Sequence, residues 1–192
     1  MQNDFAQNTF SIPFTSSTSL TLTTLPFECS LQNTPNLKSF FQWIAIKARI
    51  QQLWVDLLVF EAYSTPIGFA VQLVCQKYPN ISALCSLQIQ DGLLTANLTC
   101  PSAIVEALAI DFVAQPDEHF LGFGERFNRI DQRGQEIDLY VVNGASGGLA
   151  YKPVPFYMSS AGYGLRLLTS IRTKVRLACY DEPGIVSIRT ES

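Results

Sequence analysis

Three carboxylates stand close together in the second half of the chain, Glu125, Asp131 and Asp138. Paired acids split a glycosidic bond when one protonates the leaving oxygen and the other attacks, or activates water, across a gap of about 5 to 9.5 Å. Glu125 with Asp131, or Glu125 with Asp138, are the pairs that could face one cleft. His119 is the lone histidine, so any hydrolase triad would use it as base, yet no G-x-S-x-G elbow supplies the nucleophile. It reads as a strand-end side chain. One histidine and no C-x-x-C leave nothing for a zinc site. Gly122-Phe123-Gly124 lacks the third glycine of a dinucleotide fingerprint, and no cofactor is implied. Tyr140, Tyr151, Phe156, Tyr157 and Tyr163 read either as a stacking platform for sugar faces or, at strand spacing, as core and cross-strand packing.

These residues are positioned by short strands and tight turns. Gly122 and Gly124 bracket Phe123 and allow a bend or a close backbone approach. Glu125 and Arg126 follow at once, where a guanidinium fork can fix a loop, and Asp131, Arg133 and Gly134 form a turn. Pro153 and Pro155 stiffen the entry to an apolar strand at 156–158, and Gly162 and Gly164 flank Tyr163 as a hairpin turn.

Alternation at period two marks the rest of the chain. A half-buried strand is expected over 15–24, ended by Pro26. Ile44, Ile46, Ala48 and Ile50 share one face, and Leu53, Val55, Leu57 and Val59 continue it after Gln51 and Gln52. A helical stripe over 37–54 competes, and strand is preferred from Ile44 onward. T-P-I-G at 65–68 turns into Phe69, Val71, Leu73 and Cys75. A turn at 78–80 leads to Leu87 and Ile89, and Asp91-Gly92 suits a two-residue hairpin into Leu94, Ala96 and Leu98. Ile104, Leu108, Ile110 and Phe112 give another strand. Val175, Leu177 and Cys179, a turn at 182–184, then Val186 and Ile188 complete the set. Ten or more short strands with no repeat and no linker predict an all-β fold, an antiparallel β-sandwich with few or no helices.

Composition sets the class. A chain of 192 residues with 47% apolar and 15% charged residues suits one globular domain, 1–192, able to bury a core. A net charge of −3 offers no basic field, so no nucleic acid is expected as partner. Residues 1–10 do not resemble a secretory signal, and no stretch reaches the ~20 apolar residues of a membrane span. A protein of the cytoplasm, with no membrane partner, is expected. Cys29, Cys75, Cys85, Cys100 and Cys179 are odd in number and widely spaced, which reads as buried thiols. The N-x-S/T matches at Asn80 and Asn97 matter only in a secreted protein.

G-F-G-E-R-F at 122–127, D-Q-R-G at 131–134 and Y-K-P-V-P-F-Y-M-S-S-A-G-Y-G-L at 151–165 occur in an order and spacing that resembles the N-terminal β-sandwich of glycoside hydrolase family 31, the α-glucosidases and α-xylosidases. The resemblance covers roughly the last third of the chain. It implies a galactose-mutarotase-like supersandwich domain. In that family both catalytic aspartates lie on a (β/α)8 barrel that follows the sandwich, so the chain is expected to hold no catalytic residue, and Glu125 to prop the sheet and its loops. The barrel of the same polypeptide would be the partner, and an α-linked oligosaccharide would reach the domain through the barrel mouth. The loop before the Y-K-x-x-P-F strand, 142–148 here, overhangs that mouth in the family. Asn143, Ser146 and Tyr151 are therefore the expected substrate-binding residues, although the loop lacks the carboxylate that many members carry. An apolar patch near 120–127 and the chain end would face the barrel and, without it, drive dimerisation of the chain. The alternative is an autonomous carbohydrate-binding or interaction module, and a third reading is an enzyme in its own right.

Overall fold

A computed structural model describes residues 21–25, 44–90, 93–141 and 152–191. They form thirteen strands and no helix: β1 (Thr21–Leu25), β2 (Ile44–Ile50), β3 (Leu53–Thr65), β4 (Gly68–Cys75), β5 (Ser82–Gln90), β6 (Leu93–Thr99), β7 (Ala107–Val113), β8 (Phe120–Glu125), β9 (Glu136–Asp138), β10 (Lys152–Ser159), β11 (Tyr163–Leu168), β12 (Thr173–Leu177) and β13 (Ile185–Thr190). All pairings are antiparallel in one sheet of order β8-β10-β11-β1-β6-β5-β4-β3-β2-β7-β13-β12-β9. The sheet folds over as an open sandwich, so that residues of both its ends, Phe120 of β8 and Ile137 of β9, enter the same core.

Directly opposed residues of an antiparallel pair share a face, and this makes the sequence alternation into rows. Leu57, Ile46, Ile110, Ile188, Val175 and Ile137 lie side by side across six strands, every one buried. One residue along, Asp56, Lys47, Ala109, Arg189, Lys174 and Asp138 make the next row, on the outer face. Val71, Cys85 and Leu98 form an inner row of the other layer. The 13-residue β3 joins the layers: 53–57 pair with β2, and from Leu57 onward it pairs with β4 through a bulge between Val59 and Glu61.

The β2–β3 hairpin follows from Gln51 and Gln52, both at positive φ (50° and 65°) as a tight turn requires. Strand wins over the helical stripe from Ile44, because period-two burial gives the partner strands a continuous apolar face. Of the expected strand at 15–24 the structure describes 21–25, and Asp91-Gly92 also lies outside the described residues.

Four expectations change. Ile104 is 55% exposed in the turn before β7. Pro153 and Pro155 lie inside β10, which begins at Lys152, beside an irregularity where no regular ladder needs their missing N–H groups. The β10–β11 turn spans 160–162, with Tyr163 already paired to Ser159 and Gly164 within β11. Cys179 follows β12, which stops at Leu177 where Ala178 turns at φ 49°. The four described cysteines, Cys75, Cys85, Cys100 and Cys179, are buried free thiols. Burial pushes the Cys85 thiol up to about 12 and Cys100 to about 11, away from thiolate chemistry at neutral pH.

Candidate functional site

The motif residues converge where the two ends of the sheet meet. On β8, Phe123 sits at φ 65°, unusual for a bulky side chain, and is fully buried. Its conformation accommodates the irregularity in β10, where three residues, 154–156, stand opposite Phe123 alone. The ring stacks on Tyr157 at 5.2 Å, and Phe120 and Tyr163 meet the same tyrosine edge to face at 5.8 and 6.0 Å. The flanking glycines are required by contact. A Cβ on Gly124 would lie 2.2 Å from the Lys152 carbonyl oxygen, and one on Gly122 would lie 2.6 Å from that of Phe156.

Residues 126–135 then clasp the edges together. The Gln132 N–H donates to the Phe120 carbonyl of β8 (2.8 Å), while Gly134 N–H donates to the Leu177 carbonyl (2.6 Å) and Leu177 N–H to the Gln135 carbonyl (3.0 Å) on β12. Asp131 is the hub of this clasp. Its Oδ1 accepts from the backbone N–H groups of Phe120 and Arg133 (3.1 and 3.0 Å), and its Oδ2 lies 2.8 Å from His119 Nδ1. Partial burial pushes its pKa up, but the Arg133 N–H, the His119 ring and the Phe120 N–H together outweigh it and hold the carboxyl below its ordinary value. The Arg133 guanidinium donates to the carbonyls of Gln115, Glu118 and Pro183 at 3.1, 2.8 and 3.3 Å, tying two further turns to the clasp.

One acid had no signal in the sequence. Glu118, within P-D-E-H, looks like part of a solvated turn, yet it is 2% exposed. Its carboxylate accepts from Ser159 Oγ and from the Gln115 N–H (2.8 Å). Ser159 Oγ in turn accepts from Ala161 N–H at 3.0 Å, and His119 N–H donates to Ser160 Oγ at 2.9 Å. Glu118 thus pins the β10–β11 turn to the start of β8. Tyr163 beside it is raised far above an ordinary tyrosine, by burial first and then by Tyr157 and Glu118. Burial raises Tyr157 as well, and both phenols stay protonated.

The arrangement answers each candidate. Asp131 is held by His119 and two backbone donors, and Asp138 receives the Arg172 guanidinium, with Nε to Oδ1 at 3.1 Å. Arg172 also stands 4.9 Å above the Tyr140 ring. The Arg126 guanidinium donates to the Asp138 carbonyl at 3.2 Å, as a loop-fixing arginine should. Glu125 closes β8 opposite Lys152 and is exposed, so the propping role expected of it falls to Glu118. Among the platform aromatics, Tyr157 is fully buried and Tyr163 packs on the core, whereas Tyr140 is 53% exposed. Asn143, Ser146 and Tyr151, with the loop 142–148, lie outside the described residues. The expected apolar patch at 120–127 divides: Phe120 and Phe123 are core, while Leu121 and Phe127 are exposed. Among the described residues no group of three or more His, Cys, Asp or Glu side chains is gathered to hold a metal ion.

Fold and site together define an antiparallel sandwich whose motif residues close the sheet. Residues 98–175 match the profile of the glycosyl hydrolase 31 N-terminal galactose mutarotase-like domain, and that segment belongs to this domain family. The chain is 35% identical over 83 residues to an isomaltosyltransferase of Sporosarcina globispora, covering 42% of this chain and 8% of that protein. It is 46% identical over 50 residues to the alpha-xylosidase XylQ of Lactiplantibacillus pentosus, covering 26% and 7%. The matched stretches are thus a small part of these relatives. A solved GH31 family sulfoquinovosidase from E. rectale superposes with a TM-score of 0.55 at 14% identity, over 89% of this chain and 29% of that one, a likeness of fold.

Proposed function

We propose that the chain is the non-catalytic N-terminal domain of a retaining, family-31-like α-glycoside hydrolase. In this reading it supports the (β/α)8 barrel of the same polypeptide and shapes the mouth through which an α-linked oligosaccharide enters. The match of residues 98–175 to the family's N-terminal domain carries the reading. The engagement of Asp131 by the His119 ring and two backbone N–H groups, and of Asp138 by the Arg172 guanidinium, supports it, since neither is left as a free acid or nucleophile. On this reading Asn143 and Ser146 of the 142–148 loop, with Tyr151 just before the strand that follows, are the residues that would contact the sugar at the mouth.

The test begins with the reading frame beyond Ser192, which is expected to encode the barrel. In the intact enzyme, Asn143→Ala is expected to alter kcat or KM. If both are unchanged, the mouth-shaping role fails. A barrel-free reading frame whose product binds sugar would favour the second reading, an autonomous carbohydrate-binding module.

A further inference from the structure

Residues 138–140 lead into the 142–148 region, and side chains from two other parts of the fold hold them. β9 is a three-residue strand at the end of the sheet order, paired among the described residues with β12 alone. So short a ladder fixes the direction of the departing backbone only weakly. The Arg126 guanidinium donates to the Asp138 carbonyl at 3.2 Å, and the Leu139 N–H donates to the Thr173 carbonyl at 2.9 Å. Asp138 and Tyr140 are two positions apart, the spacing that puts side chains on one side of an extended chain. One guanidinium serves both. Arg172 presents Nε to Asp138 Oδ1 at 3.1 Å and Nη2 to Oδ2, while its Cζ stands 4.9 Å from the centre of the Tyr140 ring. Arg172 itself sits on a well-tied turn. The Ile171 N–H donates to Thr169 Oγ1 and the Thr173 hydroxyl to the Ile171 carbonyl, both at 3.0 Å, and the Arg172 carbonyl accepts from the Glu191 N–H at 2.8 Å.

We infer that Arg172 is a positioning residue for the sugar-binding mouth, setting the direction in which the chain leaves β9 for the 142–148 region. The inference rests on the reading of that region as part of the mouth. A surface ion pair alone would do little. Here the fork on Asp138 fixes one point of the segment and the stack on Tyr140 fixes a second, two residues on, so the orientation of the segment is set as well as its place. A lysine at 172 would keep the charge and lose the planar fork that joins the two points. The contact also explains why Tyr140 is exposed: its ring lies on a surface guanidinium and not in the core. Contacts at the mouth lie away from the bond that breaks, so a displaced loop weakens the binding of substrate and transition state alike, and the loss appears in KM.

Steady-state kinetics of the intact enzyme on 4-nitrophenyl α-glucoside and α-xyloside test the inference, with Asn143→Ala measured alongside. Arg172→Ala is expected to raise KM about fivefold while kcat stays within about twofold of wild type, and to melt within about 3 °C of it, as the loss of a surface pair should. Arg172→Lys should recover little of the lost binding. Tyr140→Ala should raise KM to the same extent, Tyr140→Phe, which keeps the ring, should recover it, and the double variant of Tyr140→Ala with Arg172→Ala should be no worse than either alone. Lys174→Ala, two positions along on β12, should leave KM unchanged. Should Arg172→Ala fail to fold, the two Tyr140 variants carry the test. An unchanged KM in Arg172→Ala, in an enzyme whose kinetics Asn143→Ala alters, would overturn the inference. So would full recovery by Arg172→Lys, or additive effects of Tyr140→Ala and Arg172→Ala, which would mean that the ring meets the sugar by itself. If Asn143→Ala leaves both constants unchanged, the mouth reading fails and the inference falls with it.

Discussion

The β8–β10 edge and the charged outer face of β9, β12 and β13 both concentrate acids, arginines and turns, but they are held by different physics. At the edge, backbones approach more closely than a Cβ allows, aromatic rings fill a dry core, and a buried carboxylate satisfies buried donors. On the charged face, Arg176 meets Glu136, Asp181 and Glu182, and Lys174 stands 3.8 Å from both Glu136 and Glu191, with water available to every partner. Residue identity is fixed one position at a time in the first region, whereas in the second many arrangements of opposite charges would serve. The family resemblance therefore lives at the edge.

Substitutions should separate the two regions in a definite order. Tyr157→Ala removes the ring on which Phe120, Phe123 and Tyr163 converge, and chemical denaturation is expected to show a loss of about 3 to 5 kcal/mol. Gly124→Ala drives a methyl group into the Lys152 carbonyl at a backbone φ of +82°, and about 3 kcal/mol should be lost although nothing is removed. Glu118→Ala strands the Gln115 N–H and the Ser159 hydroxyl, at about 2 to 3 kcal/mol. Lys174→Ala on the charged face should cost less than about 1 kcal/mol, and that small loss should shrink further in high salt. A Lys174 variant as damaging as Glu118→Ala would erase the distinction.

Acid sharpens the comparison. The Asp131 carboxyl is held below its ordinary range in the folded chain, so its contribution is full above the unfolded value of about 3.9 and is lost as pH falls through the lower folded value. Asp131→Asn should cost under about 1 kcal/mol at neutral pH, given solvent screening of this partly exposed group. Its melting temperature should depend less steeply on pH than that of the wild type below about pH 4. Identical acid limbs in the two proteins would remove Asp131 from its place at the hub.

The all-sheet fold was legible because alternation converts directly into inner and outer rows: Ile46, Ile110 and Ile188 are neighbours in one buried row although they come from distant segments. The close approaches at Gly122 and Gly124 were legible too, since glycines around an aromatic have few other uses. Closure of the sheet by 126–135 was not, because the partners, Phe120 and Leu177, are joined by backbone groups that every residue possesses. Glu118 was hidden for a related reason. Its neighbours Pro116 and Asp117 belong to a turn, and its buried partner, Ser159, stands forty-one positions away. The prolines of β10 misled because a strand excludes them only where a ladder bond is needed.

On the proposed reading the acids of the motif region serve structure, and the chemistry is left to a barrel elsewhere on the polypeptide. The most direct test of that reading is a paired measurement on the purified 192-residue chain and its Glu118→Gln and Asp131→Asn variants: melting temperature, and turnover of 4-nitrophenyl α-glucoside and α-xyloside. The expected result is a lowered melting temperature in Glu118→Gln, the altered acid limb in Asp131→Asn, and no turnover above the buffer blank in any of the three. Turnover by the wild type that either variant loses while melting unchanged would contradict the account.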